Sequence, residues 1–250
     1  MLGHRKLLGP SLEVDPPIHM ATNRILITGG GRGIGRAIAL RFATKGVKIC
    51  VASRTSDELD QVVGEIEAAG GEAIAAQFNM RDHGSIESAV YRATDFFGGE
   101  MDLLINNAGI FDVRPFEDCD PGMIQKFFEV NILGAMYATQ EALPALREAG
   151  NGHVINISST SGLRGYPGSS VYCATKYALR GFSDALREEL RDESIRVTTV
   201  YPDSTDTTIF DGVDLDIDRS TMDSPESVAE IIWNAAQADE CAPDIKTRPE

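Results

Sequence analysis

The chain is short of positive charge. Lys and Arg number 23 against 38 Asp and Glu, a formal net charge of −15 over 250 residues. Nucleic acid and anionic membrane surfaces both ask for a basic patch, so this composition speaks against either as a partner. Cysteine is scarce too. Cys50, Cys119, Cys173 and Cys241 are scattered, with neither a disulfide framework nor a Cys-x-x-Cys metal pattern. No metal site is expected, and the thiol usage fits a reducing, cytoplasmic setting. No apolar run approaches the length of a membrane span. His4-Arg5-Lys6 is followed by no apolar core of a secretory signal, so none is expected. Pro10, Pro16 and Pro17 disfavour a helix near the start. Residues 1–22 therefore read as a loose extension, in which Met20 offers an alternative start, and residues 23–250 as one domain.

What is present suits a soluble α/β domain. The hydrophobic fraction is 42% and the charged fraction 24%, and the length allows a sizeable core. Short apolar runs at 24–28, 47–52, 73–78, 103–106, 153–157 and 195–201 read as buried strands. Between them lie segments of helical spacing at 36–45, 56–69, 82–97, 121–146 and 170–191, and a late helix at 225–236. Gly46 is expected to end the first helix, Asp82 to cap the third, and Pro144 to bend or shorten the end of the fourth. Strand and helix in alternation imply a doubly wound parallel sheet with helices on both faces. Ligands of such sheets bind at the carboxyl ends of the strands.

Two motifs fall at such a strand end or on the helix that follows one. Thr28-Gly-Gly-Gly-Arg-Gly-Ile-Gly35 joins the first strand to the first helix. Glycines let the backbone turn sharply and approach a pyrophosphate, and a helix N-terminus presents free N–H groups. Farther on, Tyr172 and Lys176 stand four residues apart, on one face if the segment is helical. A cation beside a phenol favours the phenolate and lowers its pKa, so that it can exchange protons near neutrality. Tyr-x-x-x-Lys alone is common by chance. Its meaning depends on what accompanies it.

The accompaniment resembles the short-chain dehydrogenase/reductases. That family carries Thr-Gly-x-x-x-Gly-x-Gly, then Asn-Asn-Ala-Gly after the fourth strand, matched by Asn106-Asn107-Ala108-Gly109. An Asn on the next helix follows, matched by Asn131, and a Ser thirteen residues before the Tyr, matched by Ser159 rather than Ser158. The likeness covers about residues 24–201 and the remainder more loosely. It implies a Rossmann fold and a carbonyl–alcohol oxidoreductase. Tyr172 would be the general acid and base, and Lys176 would tune it and bind the nicotinamide ribose. Ser159 would hold the substrate oxygen, and Asn131 a water that links Lys176 to solvent. Thr28, Gly29, Gly33, Ile34, Gly35, Ala108, Gly109, Pro202 and Thr207 would contact the dinucleotide. Asn107 is expected to tie strand ends together, and Cys173, facing away from Tyr172, to be a buried spectator. Trp233 is read as core.

Charge points to the form of the dinucleotide. An acidic residue closing the second strand would bind the ribose diol and repel a 2′-phosphate. Here Ser53 stands in its place, Arg54 follows, and Arg32 lies in the glycine turn. Guanidiniums suit a phosphate dianion, so NADP(H) is expected. Asn79-Met80 replaces the family's usual Asp near the adenine, and Pro202-Asp203 its Pro-Gly beside the nicotinamide.

Residues 206–224 should form a lid. It carries Asp211, Asp214, Asp216, Asp218 and Asp223, with Arg219 as its one basic residue. Such a surface suits neither anions nor an acidic carrier protein. A free, neutral carbonyl or alcohol is therefore the expected substrate, with a 3-oxoacyl-carrier-protein reductase as the alternative. A dinucleotide-binding sensor without chemistry is the alternative of another class. The resemblance also implies a homodimer or homotetramer through the helices at 121–146 and 170–191.

Overall fold

The computed structural model describes residues 22–213, 218–238, 240 and 242–248. Residues 1–21 of the extension, Asp214 and Asp216 of the lid, and Cys241 lie outside the described residues. Seven parallel strands form one sheet: β1 Arg24–Thr28, β2 Lys48–Ser53, β3 Glu72–Gln77, β4 Leu103–Asn106, β5 Gly152–Ile157, β6 Ile195–Tyr201 and β7 Asp244–Lys246. Their order is β3-β2-β1-β4-β5-β6-β7. The winding reverses between β1 and β4, so a crevice opens there at the carboxyl ends of the strands.

Helices cover both faces, as a parallel sheet requires. On one face lie α1 Gly33–Phe42, α2 Ser56–Ala68 and α7 Pro225–Gln237; on the other lie α3 His83–Phe97, α5 Gly134–Glu148 and α6 Ser170–Glu189. The strands divide their side chains by parity. Ile25 and Ile27 of β1 join the core beneath α1 and α7, whereas Leu26 joins the core beneath α3 and α5. Leu103 and Ile105 of β4 likewise face opposite to Leu104. Each such buried side chain is worth roughly 1.5–3 kcal/mol of transfer free energy, and a slip of one residue would exchange the two cores.

Four expectations are corrected. The helix at 121–146 is continuous but not α-helical throughout: α4 Pro121–Phe128 passes into α5 through a π-helical turn, Glu129–Leu133, that contains Asn131. Pro144 does not end α5, which runs on to Glu148. The first helix starts at Gly33 and stops at Phe42, ahead of Gly46. The sheet also gains β7, which pairs Asp244–Lys246 with Thr199–Tyr201 of β6. Asp82 caps α3 as expected, accepting from the Ser85 N–H at 3.3 Å. No helix among the described residues is long and apolar enough to cross a membrane.

Candidate active site

The crevice at the carboxyl ends of the strands is a cavity of about 520 Å³. Its floor is the glycine turn. Gly29 has φ +67°, a conformation glycine adopts without penalty, and a Cβ on Gly35 would lie 2.2 Å from the Gly29 carbonyl oxygen. The turn delivers the chain into α1, whose N-cap, Arg32, makes no side-chain cap bond and whose first turn holds no carboxylate. Its free N–H groups therefore face the cavity uncompensated.

The neighbouring strand ends are stitched to this turn. Thr28 Oγ1 accepts from the N–H groups of Asn107 (3.0 Å) and Ala108 (3.1 Å) and is 1% exposed. Asn107 Nδ2 donates to the carbonyls of Thr28 (3.0 Å) and Gly29 (3.1 Å). Asn107 thus ties strand ends as expected. Thr28 does the same from beneath the cavity rather than lining it. Gly35, too, stands behind the wall, while Gly29, Arg32, Gly33, Ile34, Asn107, Ala108 and Gly109 line it.

At the end of β2, Ser53 and Arg54 line the cavity near Arg32. Sequence reading missed a third party there. Glu58 of α2 reaches back to Arg32 (3.6 Å), and a Cβ on Gly31 would sit 3.1 Å from Ser53 Oγ and 3.2 Å from Glu58 Oε2. Asn79 and Met80 line the same end. Asn79 Oδ1 accepts from the Arg81 N–H at 3.1 Å, and Met80 packs where a side chain on Gly134 would fall.

The chemistry-bearing side chains stand at the other end. Ser159 follows β5, and Tyr172 and Lys176 lie on the inward face of α6; all three line the cavity. Burial pushes the Tyr172 phenol up to about 12, with the Ser159 hydroxyl pulling the other way. Burial also pushes the Lys176 ammonium down to about 8. Lys176 Nζ donates to the Ile157 carbonyl at 2.9 Å and lies 5.6 Å from the Tyr172 ring centroid. The expected depression of the Tyr172 pKa is thus not met. Desolvation of the phenol outweighs the hydrogen bond from Ser159. Cys173 is buried on a separate face, its thiol directed at the Arg164 carbonyl (3.9 Å).

Asn131 is 1% exposed and stands behind the wall. The π turn aims its amide at Ile110, whose N–H it accepts (2.8 Å) and whose carbonyl it donates to (2.9 Å). Its Nδ2 also reaches Thr175 Oγ1 at 3.2 Å. A Cβ on Gly109 would lie 3.4 Å from Asn131 Oδ1 and 3.8 Å from Lys176 Nζ, so the glycine leaves a gap between the two.

Pro202, Asp203 and Thr207 line the wall after β6. Thr207 packs on the glycine turn, its Cγ2 3.2 Å from where a Gly33 side chain would begin. Asp203 turns its carboxylate onto the Ser204 N–H (2.8 Å). In the described part of the expected lid, Arg219 pairs with Asp206 and Asp211, and Arg248 pairs with Asp223. Two further residues went unseen in the sequence. Phe111 meets Tyr172 edge-on at 4.8 Å, and Phe210 of the lid meets Phe111 at 5.3 Å.

The chain as a whole is similar to known proteins. A family model described as short chain dehydrogenase matches residues 23–217. The ketoacyl reductase HetN of Nostoc sp. is 37% identical over 178 residues, covering 71% of this chain but only 62% of that protein. The 2,5-dichloro-2,5-cyclohexadiene-1,4-diol dehydrogenase LinX of Sphingobium indicum is 38% identical over 192 residues, 77% of this chain and 76% of that one. Among solved structures, a short chain dehydrogenase from Burkholderia cenocepacia in complex with NADP superposes with a TM-score of 0.82 at 30% identity, over 91% of this chain and 97% of that chain. This chain therefore belongs to the short-chain dehydrogenase family.

Proposed function

We propose that the protein is an NADP(H)-dependent oxidoreductase that interconverts a carbonyl and a secondary alcohol, with Tyr172 as general acid and base. The observation that carries this reading is a single cleft with the glycine turn at one end and Ser159, Tyr172 and Lys176 at the other. The residues present fit a dinucleotide. Gly29 and Gly33, both at positive φ, line the cleft without side chains, and the first turn of α1 has no side-chain cap bond and no carboxylate of its own, which suits an anion. When bound, the dinucleotide supplies or accepts the hydride.

The chain's own residues then divide the remaining work. The glycine turn holds the pyrophosphate, and Arg32, Ser53 and Arg54 hold the 2′-phosphate. Ser159 donates a hydrogen bond to the substrate oxygen and steadies charge developing there. Tyr172 gives its phenolic proton to that oxygen, or takes one in reverse. Lys176 binds the nicotinamide ribose and, with a pKa near 8, can pass a proton toward Tyr172 close to working pH. The gap at Gly109, flanked by Lys176 Nζ and Asn131 Oδ1, suits a water that returns this proton from solvent. Phe128, Leu133, Met136 and Tyr177, all exposed on neighbouring helical segments, support a homo-oligomer.

The name of the Nostoc relative, ketoacyl reductase, favours a second reading, reduction of 3-oxoacyl groups, for which a carrier-bound substrate is the form the sequence offered as alternative. The net charge of −15 and the pairing of the lid's Arg219 with two aspartates weigh against an acidic partner. A panel of free ketones and carrier-bound 3-oxoacyl groups, followed by NADPH and NADH absorbance, tests both. Free ketones reduced faster with NADPH, and no turnover by Tyr172→Phe, are the expected results. Faster carrier-bound turnover would favour the second reading. Dinucleotide binding with no turnover of any substrate would favour the sensor.

A further inference from the structure

Beyond Ser159 and Tyr172, the cleft wall carries rings among aliphatic and polar side chains such as Val113, Ile209 and Arg164. Phe111 lies five residues past the end of β4, and Phe210 closes the short helix Thr208–Phe210 after β6. The planes of Phe111 and Tyr172 cross at 83°, and those of Phe111 and Phe210 at 72°. An edge-to-face series thus runs from the phenol to the lid, borne by three separate elements. Tyr166 and Pro167 line the same cavity from the loop after β5. That loop is held to the Phe111 loop by the bond from the Arg114 N–H to the Gly168 carbonyl (2.8 Å), and a Cβ on Gly168 would lie 2.7 Å from Val113. The two loops that carry Phe111 and Tyr166 are thereby held together.

We propose that Phe111 and Phe210 make this site selective for carbonyls that bear a ring directly on the carbonyl carbon, over straight-chain ketones and acyl groups. The inference rests on the oxidoreductase reading above and names its substrate class. A carbonyl oxygen held by Ser159 and Tyr172 places its substituent beside Phe111. A ring there continues the edge-to-face series and gains the quadrupolar attraction of aromatic pairs. A methylene chain gains buried area alone and must freeze several rotors to bind.

The test compares kcat/KM for phenyl methyl ketone and for 2-octanone, of equal carbon number, with NADPH as reductant. The phenyl ketone is expected to be favoured by about tenfold, the size of one aromatic contact. Phe210→Leu and, separately, Phe111→Leu keep apolar bulk but remove a ring, and each should bring the ratio to within about threefold. Phe210 belongs to a short helix separate from the Phe111 loop, so that variant tests the idea even if Phe111→Leu folds poorly. A ratio near one in the parent, or a ratio that survives both substitutions, overturns the proposal. Calorimetric binding of the two ketones to the NADPH-loaded Tyr172→Phe protein separates the two layers of inference. Ring-selective binding lost in Tyr172→Phe/Phe210→Leu upholds the wall even if no ketone is reduced. Equal binding of both ketones refutes the wall even if both are reduced.

Discussion

Lys176 lies 5.6 Å from the Tyr172 ring centroid, yet its ammonium is hydrogen-bonded to the Ile157 carbonyl at 2.9 Å. Each group is held by burial away from its charged form. The folded pKa of Lys176, about 8, is below its ordinary 10.5. Between those values the unfolded chain binds more protons, so stability rises with pH. Tyr172 is shifted up from 10 to about 12, so across that window the folded chain binds more protons and stability falls. In the cofactor-free protein, Lys176→Met should flatten the rise in Tm between about pH 8 and 10, a contribution on the order of 1–3 kcal/mol. Tyr172→Phe should soften the fall above pH 10. Parallel Tm–pH curves for parent and Lys176→Met would show that Lys176 titrates normally.

The Arg32–Glu58 pair at 3.6 Å sits where a 2′-phosphate is proposed to bind. A carboxylate there both occupies Arg32 and repels the phosphate. Glu58→Gln should lower KM for NADPH about two- to fivefold, the scale of a partly exposed charge pair, and leave KM for NADH within about twofold. An equal gain for both nucleotides would mean that Glu58 acts on the shared part of the dinucleotide.

Much of this site could be read before folding, and what escaped has a common cause. The glycine turn, the Asn-Asn-Ala-Gly run and Tyr172 with Lys176 are local patterns whose chemistry is set by residue type and spacing. Glu58 belongs to a polar helix, and only the turn of β2 into α2 brings it to Arg32. Phe111 and Phe210 stand 99 positions apart and meet because both follow strand ends on one rim. The π turn at Asn131 leaves no trace in propensity, because its residues would serve equally in an α-helix. β7 is three residues without periodicity; it exists because β6 offers an open edge. The pKa of Tyr172 was misjudged for a related reason, since sequence shows the neighbouring cation but not the depth of burial.

Asp203 stands where a glycine was expected, and the backbone shows why it is tolerated. No residue other than glycine among those described has positive φ, so the position asks for no left-handed conformation. Its carboxylate is turned onto the Ser204 N–H, and its own N–H is taken by Thr247 Oγ1 at 3.0 Å. Asp203→Gly should therefore leave kcat and cofactor KM within about twofold, while added backbone freedom costs roughly 0.5–1 kcal/mol of stability. A larger change in kcat would place the Asp203 side chain against the dinucleotide.

The lid is closed at its neck by the C-terminal segment. Thr205 bridges Asp223, and the Asp223 carboxylate accepts from Arg248 Nε (2.8 Å) and Thr247 Oγ1 (3.3 Å). Arg248 also reaches the Thr221 carbonyl at 2.8 Å. Arg248→Ala should speed amide hydrogen exchange in residues 204–211 and raise KM for the carbonyl substrate more than KM for NADPH. Unchanged exchange would show that the backbone bridge holds the neck without the guanidinium.

His153 is a buried group whose protonation opposes the fold in acid. It lies within β5, 1% exposed, with Nε2 2.9 Å from Thr198 Oγ1. Burial, aided by Arg196, lowers its pKa from 6.5 to about 3. The unfolded chain therefore holds the extra proton between those values. The stability this contributes is complete above pH 6.5 and is lost as pH falls toward 3. His153→Gln keeps a polar partner for Thr198 but cannot titrate. Acid unfolding of that variant should take up about one proton fewer, read from the slope of stability against pH between about 4 and 6. Its midpoint should move to lower pH, provided the amide packs as well as the imidazole, which Tm at neutral pH reports independently. Undiminished proton uptake would assign the acid transition to the carboxylates that pair with surface arginines, whose stabilisation is lost over a lower range as they protonate.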